Sequence, residues 1–144
     1  MLVAIDEAEK AGLRDEVPVG AAIYDHEHGH IVAKAGNNVR SLNDPTAHAE
    51  ILVIREACKK IGQSRLAFFS LYVTLEPCHM CCMAIVHARI RNVYFALLDE
   101  KTGAVISNGK FFDKNFLNHQ VSYDYGMYAE ESKKLLQDFF QQKR

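Results

Sequence analysis

The sequence predicts an α/β fold, on three observations. Val19 to Tyr24 and Ile31 to Ala35 are strand-like runs joined by a short polar tip. Leu71 to Leu75 and Val93 to Leu98 are short, nearly continuous apolar runs rich in β-branched and aromatic residues, and a helix-length segment, 79–88, lies between them. Near the C-terminus Tyr128, Ser132, Leu135, Leu136 and Phe139 recur at helical spacing. Strands alternating with helices in this way bury their apolar faces as sheet against helix. With 144 residues, 49% of them hydrophobic, the chain can bury a core without disulfides, and it reads as a single domain over 1–144.

Each element has its own signal. Leu2, Ile5 and Ala8 share a helical face, and Gly12 closes a first helix. The two runs that follow make a hairpin around Asp25-His26-Glu27-His28-Gly29. His26, His28 and His30 alternate, but they straddle that tip, so they read as turn polarity and not as metal ligands. Asp44-Pro45-Thr46 is a helix start, with Ile51, Ile54, Arg55, Cys58 and Ile61 at helical spacing before Gly62, so His48 opens the second helix. Strand, helix, strand from Leu71 to Leu98 is a βαβ unit, which makes its strands parallel and its crossover right-handed. Cys78 then falls where strand hands over to helix, at the carboxyl edge where α/β sheets bind ligands. From Thr102 to Asn118 the chain is irregular and carries Phe111, Phe112 and Phe116. A last helix packs on the sheet.

The net charge of −1 hides an asymmetry. Residues 1–27 carry seven acids against two bases, whereas residues 34–114 carry eleven bases against seven acids. A local basic surface is therefore permitted, although scattered charge is equally a solvated face. The four cysteines are not spaced as a secreted framework, and Asp6 and Glu7 follow at once on Leu2 to Ile5, so neither a signal peptide nor a membrane span is readable. The expectation is a reducing, cytoplasmic compartment and no membrane.

Two motifs carry chemistry: His48-Ala49-Glu50, and Pro77-Cys78-His79-Met80-Cys81. Cys78 and Cys81, three apart, share a helical face and can close on one metal as thiolates. His48 and Glu50, two apart, can address one site only from the first turn, across the end of the helix, where the start signal puts them. Two helix N-termini then converge on the metal, and their partial positive charge favours thiolate. Structural zinc is normally closed by four protein ligands, while catalytic zinc keeps a place for water. Three ligands, His48, Cys78 and Cys81, beside a spare carboxylate thus predict one catalytic zinc with Glu50 as acid/base.

H-x-E with P-C-x-x-C is the signature of zinc nucleobase deaminases. More of the chain carries the likeness: Val17-Pro18-Val19-Gly20-Ala21, the Asn37 region, Asp44 to Glu50, Leu71 to Cys78, His87-Ala88-Arg89-Ile90, Asp99 to Ala104, Asn118-His119 and Asp138-Phe139-Phe140. From Glu16 nearly to its C-terminus the sequence resembles the bacterial-type tRNA-specific adenosine deaminases. The zinc motif alone marks the wider superfamily; the Asp44-Pro45-Thr46-Ala47 lead-in, the Lys101-Thr102-Gly103-Ala104 loop and Asn118-His119 narrow it.

The resemblance implies a three-layer α/β/α, cytidine-deaminase-like fold with a central mixed sheet of about five strands. It implies a homodimer with one zinc per subunit, no nucleotide cofactor, and hydrolytic deamination of the wobble adenosine of a tRNA anticodon loop to inosine. By that similarity Asn37 hydrogen-bonds the target nucleotide, Val19 walls the base and Ala49 contributes a backbone contact. Asp99 and Lys101 lie near flanking nucleotides, Asn118 and His119 belong to the substrate side, and the C-terminal helix with Lys143 and Arg144 approaches the RNA. The family pattern uses the first of the paired cysteines, which leaves Cys82 as core filler. The chain departs from the pattern at Cys82 and at Val105-Ile106, where members carry small residues and a Gly/Ser-rich turn. Two rivals stand beside this reading: a deaminase of free guanine or a cytidine compound, and a zinc-stabilised RNA-binding scaffold. The second leaves Glu50 without a role. Phe139 and Phe140 read as core residues at helical spacing, and the loop phenylalanines as either core cover or base platforms.

Overall fold

A computed structural model describes residues 1–144. The hairpin forms as its pattern predicts: β1 (Gly20–Asp25) and β2 (His30–Gly36) pair antiparallel, with a register irregularity at Ile23/Tyr24. The βαβ unit is β3 (Phe69–Leu75), α4 (His79–His87) and β4 (Asn92–Leu97), with β3 and β4 parallel. β5 (Ser122–Tyr125), which no sequence signal placed, adds parallel to β4. It is short and mostly exposed, so it lacks the apolar run that marks β3 and β4. The sheet order is β2-β1-β3-β4-β5, mixed as the resemblance implies.

Helices cover both faces. α1 (Leu2–Leu13) and α5 (Ala129–Gln142) lie on one, while α3 (Ala49–Ile61) and α4 lie on the other. α1 buries Ala4, Ile5, Ala8 and Ala11, all small but one, which lets it approach β1 closely. A Cβ on Gly20 would stand 2.0 Å from the Ala4 carbonyl oxygen, so only glycine fits that crossing. Leu2, expected on the buried face, is 63% exposed. α3 buries Val53, Ile54 and Ala57, and Arg55 points outward, so its stripe is rotated from the one read in sequence. A one-turn helix, α2 (Val39–Leu42), precedes α3 and makes the His48 helix the third. In α5, Ser132 is buried and donates to the Thr74 carbonyl at 2.5 Å, pinning the helix to β3. The core centres on Ile23, Leu71, Val73, Ile85, Val93 and Phe95.

This topology gathers distant residues at one edge. β3 and β4 run toward it and deliver Cys78 and Asp99 just beyond their ends. β1 runs the other way beside β3 and so begins there, with Val19 immediately before it. β2, antiparallel to β1, ends there and delivers Asn37.

Candidate active site

His48 is the N-cap of α3 and Cys78 the N-cap of α4. Cys81 lies one turn into α4 and is fully buried. The helix ends thus meet at the carboxyl edge of β3, as the spacing requires. Cys78 Sγ and Cys81 Sγ each stand 3.6 Å from His48 Nδ1, and the three donor atoms lie within 4.8 Å of one another. One sulfur and one nitrogen on a tetrahedral zinc stand about 3.5 Å apart, from Zn–S near 2.3 Å and Zn–N near 2.0–2.1 Å. The donor set fits zinc in both chemistry and spacing. Cys82 does not join it; its side chain is buried in the core, with Sγ 3.7 Å from the Pro77 carbonyl oxygen.

The electrostatics suit metal binding. The Cys78 thiol is brought down to about 4, first by the hydrogen bond from Cys81 and then, against the cost of burial, by His48. Cys81 is pushed far up because it holds the proton of the pair and is buried. His48 is raised by its bond to Cys78. These protons leave together when a cation replaces them. Glu50, 4% exposed in the first turn of α3, is pushed up to about 7 by burial, with the neighbouring Cys78 thiolate acting in the same direction.

Above this floor opens a cleft of about 1000 Å³. Of the residues singled out in sequence, Val19, Asn37, His48, Glu50, Cys78, Asp99, Lys101 and Lys143 line it. Asn37 Oδ1 accepts the Ala49 N–H at 2.8 Å. That bond caps α3 from the end of β2, and it leaves the Asn37 side-chain amide nitrogen as the group able to meet a ligand. Ala49 is buried behind that cap. Asn118, His119 and Arg144 lie outside the cleft. Asn118 Oδ1 accepts from Arg89 at 2.7 Å, and His119 Nε2 lies 2.8 Å from the Ile90 carbonyl oxygen, so both tie their segment to the α4–β4 corner.

Aromatic residues divide differently from the sequence expectation. Phe139 and Phe140 line the cleft, and Phe140 is 49% exposed. Phe112 is core, whereas Phe116 is 70% exposed. At the hairpin tip His28 pairs with Asp25 and His26 with Ser70, and these histidines form no metal cluster.

Sequence reasoning missed three groups here. Arg40, on α2, lines the cleft mouth with Lys143, and both pair with the exposed carboxylate of Asp15. Glu16 and Glu76 are buried carboxylates that line the cleft, the first bonded to the α2 segment and the second to the loop after β4. A charge embedded in an otherwise apolar stretch, as in Thr74-Leu75-Glu76-Pro77, was the available signal for the last.

Known proteins share this arrangement. Residues 1–97 match the cytidine and deoxycytidylate deaminase zinc-binding region. The chain is 49% identical over 144 residues to a tRNA-specific adenosine deaminase of Agrobacterium fabrum, covering 100% of this chain and 93% of that one. A solved structure from biochemical and structural studies of A-to-I editing by tRNA:A34 deaminases at the wobble position of transfer RNA superposes with a TM-score of 0.91 at 48% identity, covering 94% of this chain and 97% of that chain. A guanine deaminase from Bacillus subtilis superposes with a TM-score of 0.64 at 34% identity, covering 84% and 79%. With the converging helix ends, the three-donor set and identity along its whole length, the chain belongs to the cytidine and deoxycytidylate deaminase family and, within it, to the tRNA-specific adenosine deaminases.

Proposed function

We propose that this chain converts the wobble adenosine of tRNA to inosine by hydrolytic deamination, with one zinc per subunit. The carrying observation is the buried Glu50 carboxylate beside the His48–Cys78–Cys81 set at the floor of a large cleft. A zinc ion held there supplies a Lewis acid that lowers the pKa of water from 15.7 to about 7. Glu50 takes the proton of the attacking water and delivers it to N1 of adenine as the oxygen adds at C6. It then carries the second proton to the amine, which leaves as ammonia, and a C6 carbonyl remains.

The other residues hold the base. Val19 walls the pocket, and the Asn37 amide nitrogen, already oriented by the bond to Ala49, is available to the nucleotide. Asp99 and Lys101 on one side and Lys143 on the other frame the mouth, where Phe140 offers a ring face to an unstacked base. A 1000 Å³ cleft exceeds what a single base needs, which supports a substrate with flanking nucleotides. No helix is long and apolar enough to cross a membrane. A homodimer and a cytoplasmic location belong to the same proposal, and light scattering of the purified protein tests the first.

The test is incubation of the zinc-loaded protein with an unmodified tRNA bearing wobble adenosine, reading inosine as guanosine on sequencing. Inosine at that position alone, absent with Glu50→Ala, supports the reading. The 34% identity to a guanine deaminase makes free guanine the necessary parallel assay. Ammonia from guanine and none from tRNA would replace the reading with the small-molecule one.

A further inference from the structure

We propose that Glu76 is a positioning residue for substrate recognition, acting by closing the 99–107 loop into a fixed ring at the mouth of the cleft. The inference rests on the reading above. Glu76 is 3% exposed, yet both its oxygens are used, two donors to each. Oε2 accepts the Asp99 N–H at 2.9 Å and the Ser107 hydroxyl at 2.6 Å. Oε1 accepts the N–H groups of Ile106 at 2.7 Å and Ser107 at 2.9 Å. Every donor comes from one end or the other of a single loop, so one carboxylate clamps the point where it leaves β4 and the point where it returns.

Asn108 adds a second tie, its Nδ2 donating to the Glu100 carbonyl at 3.1 Å and the Gly103 carbonyl at 2.9 Å, but only Glu76 holds both ends from the buried side. Between the clamped ends, Asp99 Oδ1 accepts from the backbone of Lys101 and Thr102, and Oδ2 from the Thr102 hydroxyl at 2.6 Å, which sets the turn bearing Asp99 and Lys101. The loop also touches the metal helix: Gly103 bridges Cys78, and the Ala104 N–H donates to the Pro77 carbonyl at 2.8 Å. Gly103 lies directly against the clamp, since a Cβ there would stand 2.3 Å from Glu76 Oε2. A bulky Val105-Ile106 pair in place of a Gly/Ser turn leaves this clamp intact, because Glu76 bonds the backbone of Ile106, which any residue supplies.

Glu76→Gln is close to isosteric but replaces an acceptor-only oxygen with a donor that faces donors. Two of the four bonds are lost, and leaving buried N–H groups unpaired is expected to loosen the loop enough to raise KM for tRNA about tenfold. Zinc stoichiometry and kcat at saturating tRNA should change far less than KM, since Glu76 bonds none of His48, Glu50, Cys78 or Cys81. Amide hydrogen exchange should accelerate over 99–107 and remain unchanged over 78–87. Ser107→Ala, which removes one donor, should give the same pattern at smaller amplitude and serves where the first variant folds poorly. In combination with Asp99→Ala the effect on KM should be less than additive, because both act through one turn. Loss of zinc, a fall in kcat with KM unchanged, or full additivity with Asp99→Ala would each overturn the proposal. Wild-type protein that makes no inosine in tRNA would instead overturn the functional reading, and the exchange data would still report on the clamp.

Discussion

The floor and the mouth of the cleft are built on opposite plans. At the floor, Glu50, Cys81 and Ala49 are buried, and the three donors that fit a metal sit in the first turns of helices fixed by the sheet. At the mouth, Lys101 and Arg40 are exposed, Asp99 and Lys143 partly or wholly so, and they are carried by a loop, a one-turn helix and the end of α5. What joins the two levels is a pair of buried carboxylates. Glu16 accepts from the backbone of Arg40 and Ser41 on one wall, and Glu76 accepts from the loop ends on the other. On the proposed function, chemistry that must not vary is set by regular structure, while recognition is placed on short segments that regular structure pins from below.

The sharpest way to break this division is at a ligand. His48→Ala should bring zinc from one per chain to nearly none and activity to background, with a lower melting temperature, measured by elemental analysis and thermal unfolding. A zinc-replete, active His48→Ala protein would move the metal elsewhere. Chelation of the wild type should reproduce the loss of activity, and added zinc should restore it.

Next in size is Glu50→Ala. General acid–base catalysis contributes about 10²- to 10⁴-fold, so turnover should fall by that range while zinc content holds. The dissociation of metal from activity separates Glu50 from the three ligands beside it. Near-normal turnover in the metal-loaded variant would end the proton-shuttle assignment.

The floor was legible in sequence for a physical reason. Metal donors must be few, chemically distinct and closely spaced, so His48, Cys78 and Cys81 announce themselves, with Glu50 as the spare carboxylate; Asp44-Pro45-Thr46, read as the helix start, instead makes a turn closed by Asp44 on Thr46, and α3 begins at Ala49 with His48 as its N-cap. The strands β1, β3 and β4 were equally plain, because burial on the sheet demands apolar runs, while the more exposed β2 was legible as the return strand of the hairpin. The mouth was not legible by the same means. Arg40, Lys143 and Asp15 are ordinary surface charges until the fold brings residues from 15, 40 and 143 together. β5 carries too little apolar burial to declare itself, and Phe140 has the spacing of a core residue while extending beyond the core. Only the family resemblance pointed to Asn37, and what the structure gives it is a bond to the Ala49 N–H at the start of α3 and a place on the cleft wall.

Substitutions at the mouth should act on KM and not on metal or kcat. Lys101→Ala removes one cation from the rim, and loss of one phosphate contact to single-stranded RNA should lower the slope of log KM against log salt by about 0.7. A variant with weaker kcat and an unchanged salt slope would place Lys101 in the chemistry, against the division drawn here.

The smallest effect, and the one with the opposite sign, belongs to Asp15. Its carboxylate faces solvent and pairs with both Arg40 and Lys143, drawing the start of α2 and the end of α5 toward one another across the cleft mouth. Exposed ion pairs are weak and screened, so a polyanion competes with Asp15 for the same two cations at little cost. Asp15→Asn frees them and should lower KM for tRNA about twofold at low salt, a difference that disappears near 1 M salt, where the screening length falls to about 3 Å. Should KM rise instead, Asp15 would be orienting Arg40 and Lys143 for the substrate and not competing with it, and the mouth would be as pre-built as the floor.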